Sequence, residues 1–355
     1  MNVLHISPDF NYSCGVSRHV TLLLEELNKK SEIHLFFLTN GGDSLERIRG
    51  FNVKVDYLGI ERENKNPLIL LGNYFSLSKY CKSNKIDLIH THHRYPELLS
   101  CLAGKRLKIK TIATVHSLVT GWKSFSFRSD KIIAVSKSVE ALLICKYSVD
   151  KGKILQIYNY IKPFNKFDRH EAEHLKEELG IKETDKVLLF VGRISYIKGC
   201  DVLISAFEEL IIDYPSLKLI MIGSFESEAL KHLVLRNKQI IYIEPKSEIV
   251  NYYSICDAAV IPSRIDPLPY VMLEAGLVKK PFIGGNTGGI AEFIENGIDG
   301  LLVEPGDKQQ LKEKIVELLN DESLSKKLAE NLHKKVSKLT DSDSYITQLM
   351  KLYGR

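Results

Sequence analysis

Two basic side chains, Arg193 and Lys198, stand between Gly192 and Gly199, just after the apolar run KVLLFVG and before a stretch of helical period. Cations on a short strand-to-helix loop lie where a helix N-terminus already favours negative charge, so they could hold an anion, and a diphosphate fits. The other reading is two solvated loop cations. Further on, SRIDPLPYVMLEAG sets Asp266 eight residues before Glu274, with Pro267 and Pro269 between. The prolines keep Asp266 on a loop while Glu274 falls on the following helix, which predicts two carboxylates at the lip of one cleft. Carboxylates accept hydrogen bonds from sugar hydroxyls, each charged bond contributing on the order of 1.5 to 3 kcal/mol. A third stretch, NTGGIAEFIENGIDGLLVEPGD, offers Thr287, Gly288 and Gly289 after a strand, then Glu292. Its glycines either let backbone N–H groups approach a ligand or simply make a tight loop.

Short β-branched runs alternating with amphipathic stretches must position these side chains. In the first half the runs lie at 3–7, 33–38, 53–58, 88–92, 111–116, 131–136 and 154–159. In the second half they lie at 186–192, 217–223, 240–244, 258–263, 281–285 and 301–306. Strand, helix, strand repeated in this way predicts parallel sheets covered on both faces. Two such series predict two Rossmann-like, doubly wound α/β domains, 1–163 and 164–340, joined near 161–170. The last helix, Ser342–Tyr353, carries Tyr345, Ile346, Leu349 and Leu352 at helical spacing, able to bury against another surface. Such sheets bind ligands at the carboxyl ends of their strands. No G-x-G-x-x-G follows a strand, which weighs against a nicotinamide or flavin oxidoreductase, and no G-x-x-x-x-G-K-[ST] is present, which excludes a P-loop kinase.

The 355 residues, 44% hydrophobic and 26% charged, exclude disordered and low-complexity classes, and this length exceeds the roughly 250 to 300 residues at which a single core stops growing. No apolar run approaches the ~20 residues of a spanning helix, and the start MNVLHISPDF does not read as a secretion signal. The six scattered cysteines read as cytosolic thiols. Residues 1–163 hold 24 Lys and Arg against 14 Asp and Glu, while residues 164–355 hold 25 against 30. Basic density peaks at Lys105, Arg106, Lys108 and Lys110, with Lys123 and Arg128 close behind. These residues read either as a solvated face or as a surface for an anionic membrane or acceptor. Nucleic acid is disfavoured, because no aromatics interleave with the cations. The cluster His90, His92, His93 matches no metalloprotease spacing and reads as polar lining at a strand end, so no metal site is expected.

Taken in order, the three stretches resemble the retaining GT-B glycosyltransferases of glycosyltransferase family 4. VGRISYIKGCDVLISAF is similar to the family's G-R-x4-K-G segment, Asp266 to Glu274 to its E-x7-E motif, and TGGIAEFIENGIDGLLVEPGD to the stretch closing the donor domain. In the first half the resemblance is looser: Cys14-Gly15 before a helix, His116 at the end of TIATVH, IIAVSKS at 132–138, and Asn159.

The resemblance implies a GT-B fold, with an acceptor domain completed by the C-terminal helix 341–355, a nucleotide-sugar donor domain, and the reaction in a central cleft. Arg193 and Lys198 would hold the donor diphosphate, Glu274 the nucleotide ribose and Asp266 a sugar hydroxyl, with Gly192, Leu268, Pro269 and Tyr270 around the donor. His116 would reach the sugar from the acceptor side, and Gly15 would let its loop approach the phosphates. The expected substrates are a UDP-, GDP- or ADP-sugar and a glycan or lipid-linked acceptor, with no cofactor, at the cytoplasmic side of a membrane. Three positions depart from the pattern: Asp266 where Glu is usual, Cys14 where Gly is usual, and Tyr160 after Asn159 where Gly is common. A nucleotide-sugar epimerase on the same fold and a two-lobed solute-binding protein are the alternatives, and the second would need an export signal.

Overall fold

The computed structural model describes residues 1–59, 66–118, 120–121, 125–164 and 169–354. Lys123 and residues 165–168 of the expected join lie outside them. The chain divides into two compact units, Met1–Tyr160 with Asp341–Arg355, and Ile161–Thr340. The break falls after Tyr160 rather than after Pro163. Ile161 belongs to the second unit, where its amide donates to the Leu339 carbonyl at 3.1 Å.

In the first unit, β1 (Asn2–Ile6), β2 (His34–Thr39), β3 (Val53–Tyr57), β4 (Leu88–Thr91), β5 (Lys110–Val115), β6 (Lys131–Ala134) and β7 (Ile154–Gln156) form a parallel sheet in the order 3-2-1-4-5-6-7. Its crossovers carry α1 (Gly15–Asn28), α2 (Pro67–Ser83), α3 (Arg94–Leu107) and α4 (Lys137–Cys145). In the second unit, β8 (Lys186–Val191), β9 (Leu217–Ile222), β10 (Ile240–Ile243), β11 (Ala258–Ile261), β12 (Phe282–Gly285) and β13 (Leu301–Val303) follow the order 10-9-8-11-12-13. Around them run α5 (Arg169–Glu178), α6 (Cys200–Asp213), α7 (Glu228–Leu235), α8 (Val250–Ile255), α9 (Tyr270–Leu277), α10 (Gly288–Phe293), α11 (Lys308–Asn320) and α12 (Glu322–Val336). Strands covered on both faces need continuous apolar runs, and in β8 the residues Val187, Leu188, Leu189 and Phe190 are all buried. Strand order reverses between β1 and β4 and between β8 and β11, so those strand ends open crevices where ligands bind in such sheets.

The last helix, α13 (Ser342–Tyr353), returns to the first unit. Asp341 caps it, its side chain accepting from the Ser344 amide at 3.0 Å. Tyr345, Ile346 and Leu349 are buried, but the fourth buried residue is Tyr353 and not Leu352. A stripe running through Ile346 and Leu349 continues at the i+4 position, and Tyr353 also finds a polar partner for its hydroxyl in His90.

Candidate active site

Gly192 follows β8 directly and Arg193 is exposed on the loop, while Lys198 precedes the N-terminus of α6. Gly199, at φ +72°, is required there, because a Cβ would lie 2.1 Å from the Pro262 carbonyl oxygen. That approach brings the start of α6 against the β11 end, at the reversal of strand order. Arg264 ties the two loops together: its guanidinium donates to both Asp201 carboxylate oxygens at 2.7 and 2.8 Å and to the Tyr196 carbonyl at 2.6 Å.

Asp266 sits on the loop after β11 and Glu274 on α9, as their spacing predicts, but neither is at a lip. They are 1% and 3% exposed, and each is partnered inside. Lys198 Nζ donates to Asp266 Oδ2 at 2.6 Å, and Ser263 Oγ donates to the same oxygen at 3.2 Å. Tyr253, fully buried on α8, donates its hydroxyl to Glu274 Oε2 at 2.8 Å. Recessing follows from what surrounds them: Leu268, Pro269 and Tyr270 are buried too, Pro269 being the N-cap of α9. Gly289 also plays a part different from the expected one. A Cβ there would meet the Pro267 oxygen at 1.8 Å, and its amide donates to the Asp266 carbonyl at 2.9 Å, so this glycine clamps the Asp266 loop. The partners Tyr253, Ser263 and Arg264 carry no spacing signal in the sequence.

In the first unit, Gly15 is the exposed first residue of α1, after an N-cap at Cys14 without a side-chain cap bond. His116 follows β5, and its Nε2 has no partner among the described residues. It borders a cavity of about 90 Å3 with His92, His93 and Arg94. His90 and His92 are buried, at 0% and 2% exposure, and His92 lines that cavity. They belong to a larger group with His5, His19 and His116, the His19 and His116 ring centres being 4.5 Å apart and those of His90 and His92 also 4.5 Å. His5 Nδ1 and His92 Nε2 share a hydrogen bond at 3.3 Å. Both His90 nitrogens meet hydroxyls, Tyr353 at 2.8 Å and Thr114 at 2.7 Å. Burial holds the imidazoles neutral: His5 is lowered to about 3 and His19 to about 4, while His90, His92 and His116 are pushed well below the usual range, neighbouring rings adding to the effect. Nitrogens of His5, His90 and His92, and of His19, His92 and His116, lie within 4.8 Å of one another, the spacing a cation would need. In the first set His90 spends both nitrogens on hydroxyls, and in the second His19 meets the Tyr345 hydroxyl at 3.5 Å and the Asn159 side chain, so neither set is free to take one. His93, the third member of the cluster read from sequence, turns instead to Ser7 Oγ at 3.1 Å.

Two parallel, doubly wound units are the architecture of the GT-B glycosyltransferases. A solved example, the HepE protein of Anabaena in complex with UDP-glucose, gives a TM-score of 0.86 at 18% identity, with 100% of this chain and 99% of that one covered. The sequence narrows the class to a family: residues 14–163 match the profile described as Glycosyltransferase Family 4, and residues 171–335 the one described as Glycosyl transferases group 1. The chain belongs to glycosyltransferase family 4 and is a glycosyltransferase. An uncharacterized glycosyltransferase of Methanocaldococcus jannaschii is 28% identical, with 99% of this chain and 98% of that protein covered. The N,N'-diacetylbacillosaminyl-diphospho-undecaprenol alpha-1,3-N-acetylgalactosaminyltransferase of Campylobacter jejuni is 25% identical, with 92% of each covered.

Proposed function

We propose that the chain moves a hexose-type sugar from a UDP-, GDP- or ADP-sugar to a glycan or lipid-linked acceptor, with retention, in the building of a bacterial surface polysaccharide. The observation that carries this reading is the bond from Lys198, which shares the β8–α6 loop with the exposed Arg193, to the recessed Asp266. In it, the second unit takes the donor. Arg193 and Lys198 hold the diphosphate and stabilise the charge it gains as the bond to the sugar breaks, with no need of a metal ion. Asp266 accepts from a sugar hydroxyl, Glu274 from the ribose, and the turn of Leu268, Pro269 and Tyr270 shapes the donor pocket. The first unit takes the acceptor, with Gly15 at the start of α1 and His116 after β5 as its candidate residues. The acceptor oxygen attacks on the face the diphosphate leaves, through an ion pair, and the departing phosphate oxygen takes its proton; no protein nucleophile is needed.

A lipid-linked acceptor places the enzyme at the cytoplasmic face of a membrane. No helix among the described residues is long and apolar enough to cross one. The test is a screen of UDP-, GDP- and ADP-sugars for thermal shift, followed by nucleotide release with and without acceptor. Binding of one donor with release that rises when acceptor is supplied is the expected result. Interconversion of the donor sugar without acceptor would instead make the enzyme an epimerase.

A further inference from the structure

The helix α2 is apolar on two sides. Leu77 and Cys81 enter the core of the first unit, with Leu70 and Tyr74 packed beside them. On the other side Leu68, Leu71 and Phe75 are 77%, 51% and 52% exposed. At 100° per residue these three fall on one stripe, and the stripe continues into the exposed Lys79 and Lys82. Arg106 of α3 joins it, bordering a concavity of about 360 Å3 with Phe75, Lys79 and Lys82. Beyond Arg106 the exposed Leu102, Lys105 and Lys108 carry the same mixture round to a second concavity of about 700 Å3. Among the described residues no carboxylate pairs with Lys79, Lys82 or Lys105. A soluble surface rarely leaves aligned large apolar side chains uncovered, and a rim of unneutralised cations selects a negatively charged partner.

We propose that the α2–α3 face docks on an anionic bilayer, Leu68, Leu71 and Phe75 entering the headgroup boundary while Lys79, Lys82, Lys105 and Arg106 meet lipid phosphates. This locates the membrane contact of the proposed function on α2, whereas the sequence drew attention to Lys105–Arg128. The test is co-sedimentation of the full chain with neutral phosphatidylcholine vesicles and with vesicles containing phosphatidylglycerol. Wild type should bind the anionic vesicles and lose affinity steeply with salt. Leu71→Ser/Phe75→Ser should weaken binding about 10-fold or more while keeping the salt dependence, and Lys79→Glu/Lys82→Glu should weaken it as much and flatten that dependence. All four side chains are exposed, so the melting temperature should hold. Equal binding of wild type and both variants, or of wild type to both vesicles, overturns the proposal. So does tight binding to soluble heparin that ignores Phe75, which would make the face a polyanion site, or a change of oligomeric state in the serine variant, which would make it a contact between copies. Thermal shift with UDP-glucose on the same preparations separates failure of this face from failure of the transferase reading.

Discussion

Lys198 and Asp266 hold each other at 2.6 Å, the carboxylate side chain 2% exposed, whereas Arg193 on the same loop is exposed to solvent. The two cations therefore differ in what their loss would do. If Arg193 holds the donor diphosphate as proposed, its contact strengthens as charge develops there, so Arg193→Ala should lower kcat about 100-fold or more and should leave the melting temperature unchanged. Lys198→Ala should lose a similar factor in rate and also destabilise the second unit by about 3 kcal/mol or more, since it strands a buried carboxylate. Adding Asp266→Asn to Lys198→Ala should restore the melting temperature but not turnover. Steady-state kinetics with calorimetry on the three variants checks this, and near-normal turnover in Lys198→Ala would remove the loop from the site. Asp266 also stands where relatives of this pattern carry Glu, one methylene longer. Asp266→Glu assayed over a donor panel should lose activity on the native sugar, and unchanged activity would show that the short side chain is not matched to its donor. Sequence spacing brought these residues to notice because cations and carboxylates at strand ends have few structural uses. It did not reveal that they pair, since Lys198 and Asp266 are 68 positions apart.

At the level of elements, the strands were legible because a parallel strand buried on both faces must be apolar throughout, and short runs such as KVLLFV have little else to become. Tyr253 was not, because its hydroxyl is useful only once α8 has packed beside α9. The two-sided character of α2 was written in PLILLGNYFSLSKYCKS, but it needs the packing to say which side stays outside. For α13 the period was readable and its phase was not, Tyr353 replacing Leu352 because His90 awaits its hydroxyl. Deleting residues 341–355 removes four buried side chains from the first unit. At about 1.5 to 3 kcal/mol for each fully buried large side chain, as an upper estimate, several kcal/mol should be lost. Melting of the first unit should fall well below wild type while UDP-sugar binding by the second survives, and a melting profile identical to wild type would show that the helix contributes nothing. Tyr353→Phe should cost less, about 1 kcal/mol, because it removes only one buried hydrogen bond.

Across the whole molecule, acid should act unevenly. The first unit keeps His5, His19, His90, His92 and His116 neutral in its interior, and among the described residues of the second unit there is no comparable convergence of imidazoles. An imidazole whose folded pKa lies below its unfolded 6.5 is neutral in both states above that value, so its contribution is complete there. As pH falls below 6.5 the unfolded chain takes up protons that the folded chain refuses. Stability therefore drops, continuing to about pH 4 for His19 and about pH 3 for His5. The loss is on the order of 1 to 2 kcal/mol per ring at pH 5, before most carboxylates begin to titrate. Several rings acting together should lower the melting temperature of the first unit by at least about 5 °C between pH 7 and pH 5, with the second unit nearly constant. Calorimetry of the full chain across that range, with mass spectrometry of the fragments released by brief proteolysis at each pH, assigns each transition to its unit. A first-unit transition that stays level from pH 7 to pH 5 would mean that water or a bound cation reaches these rings and that their burial carries no proton-linked cost.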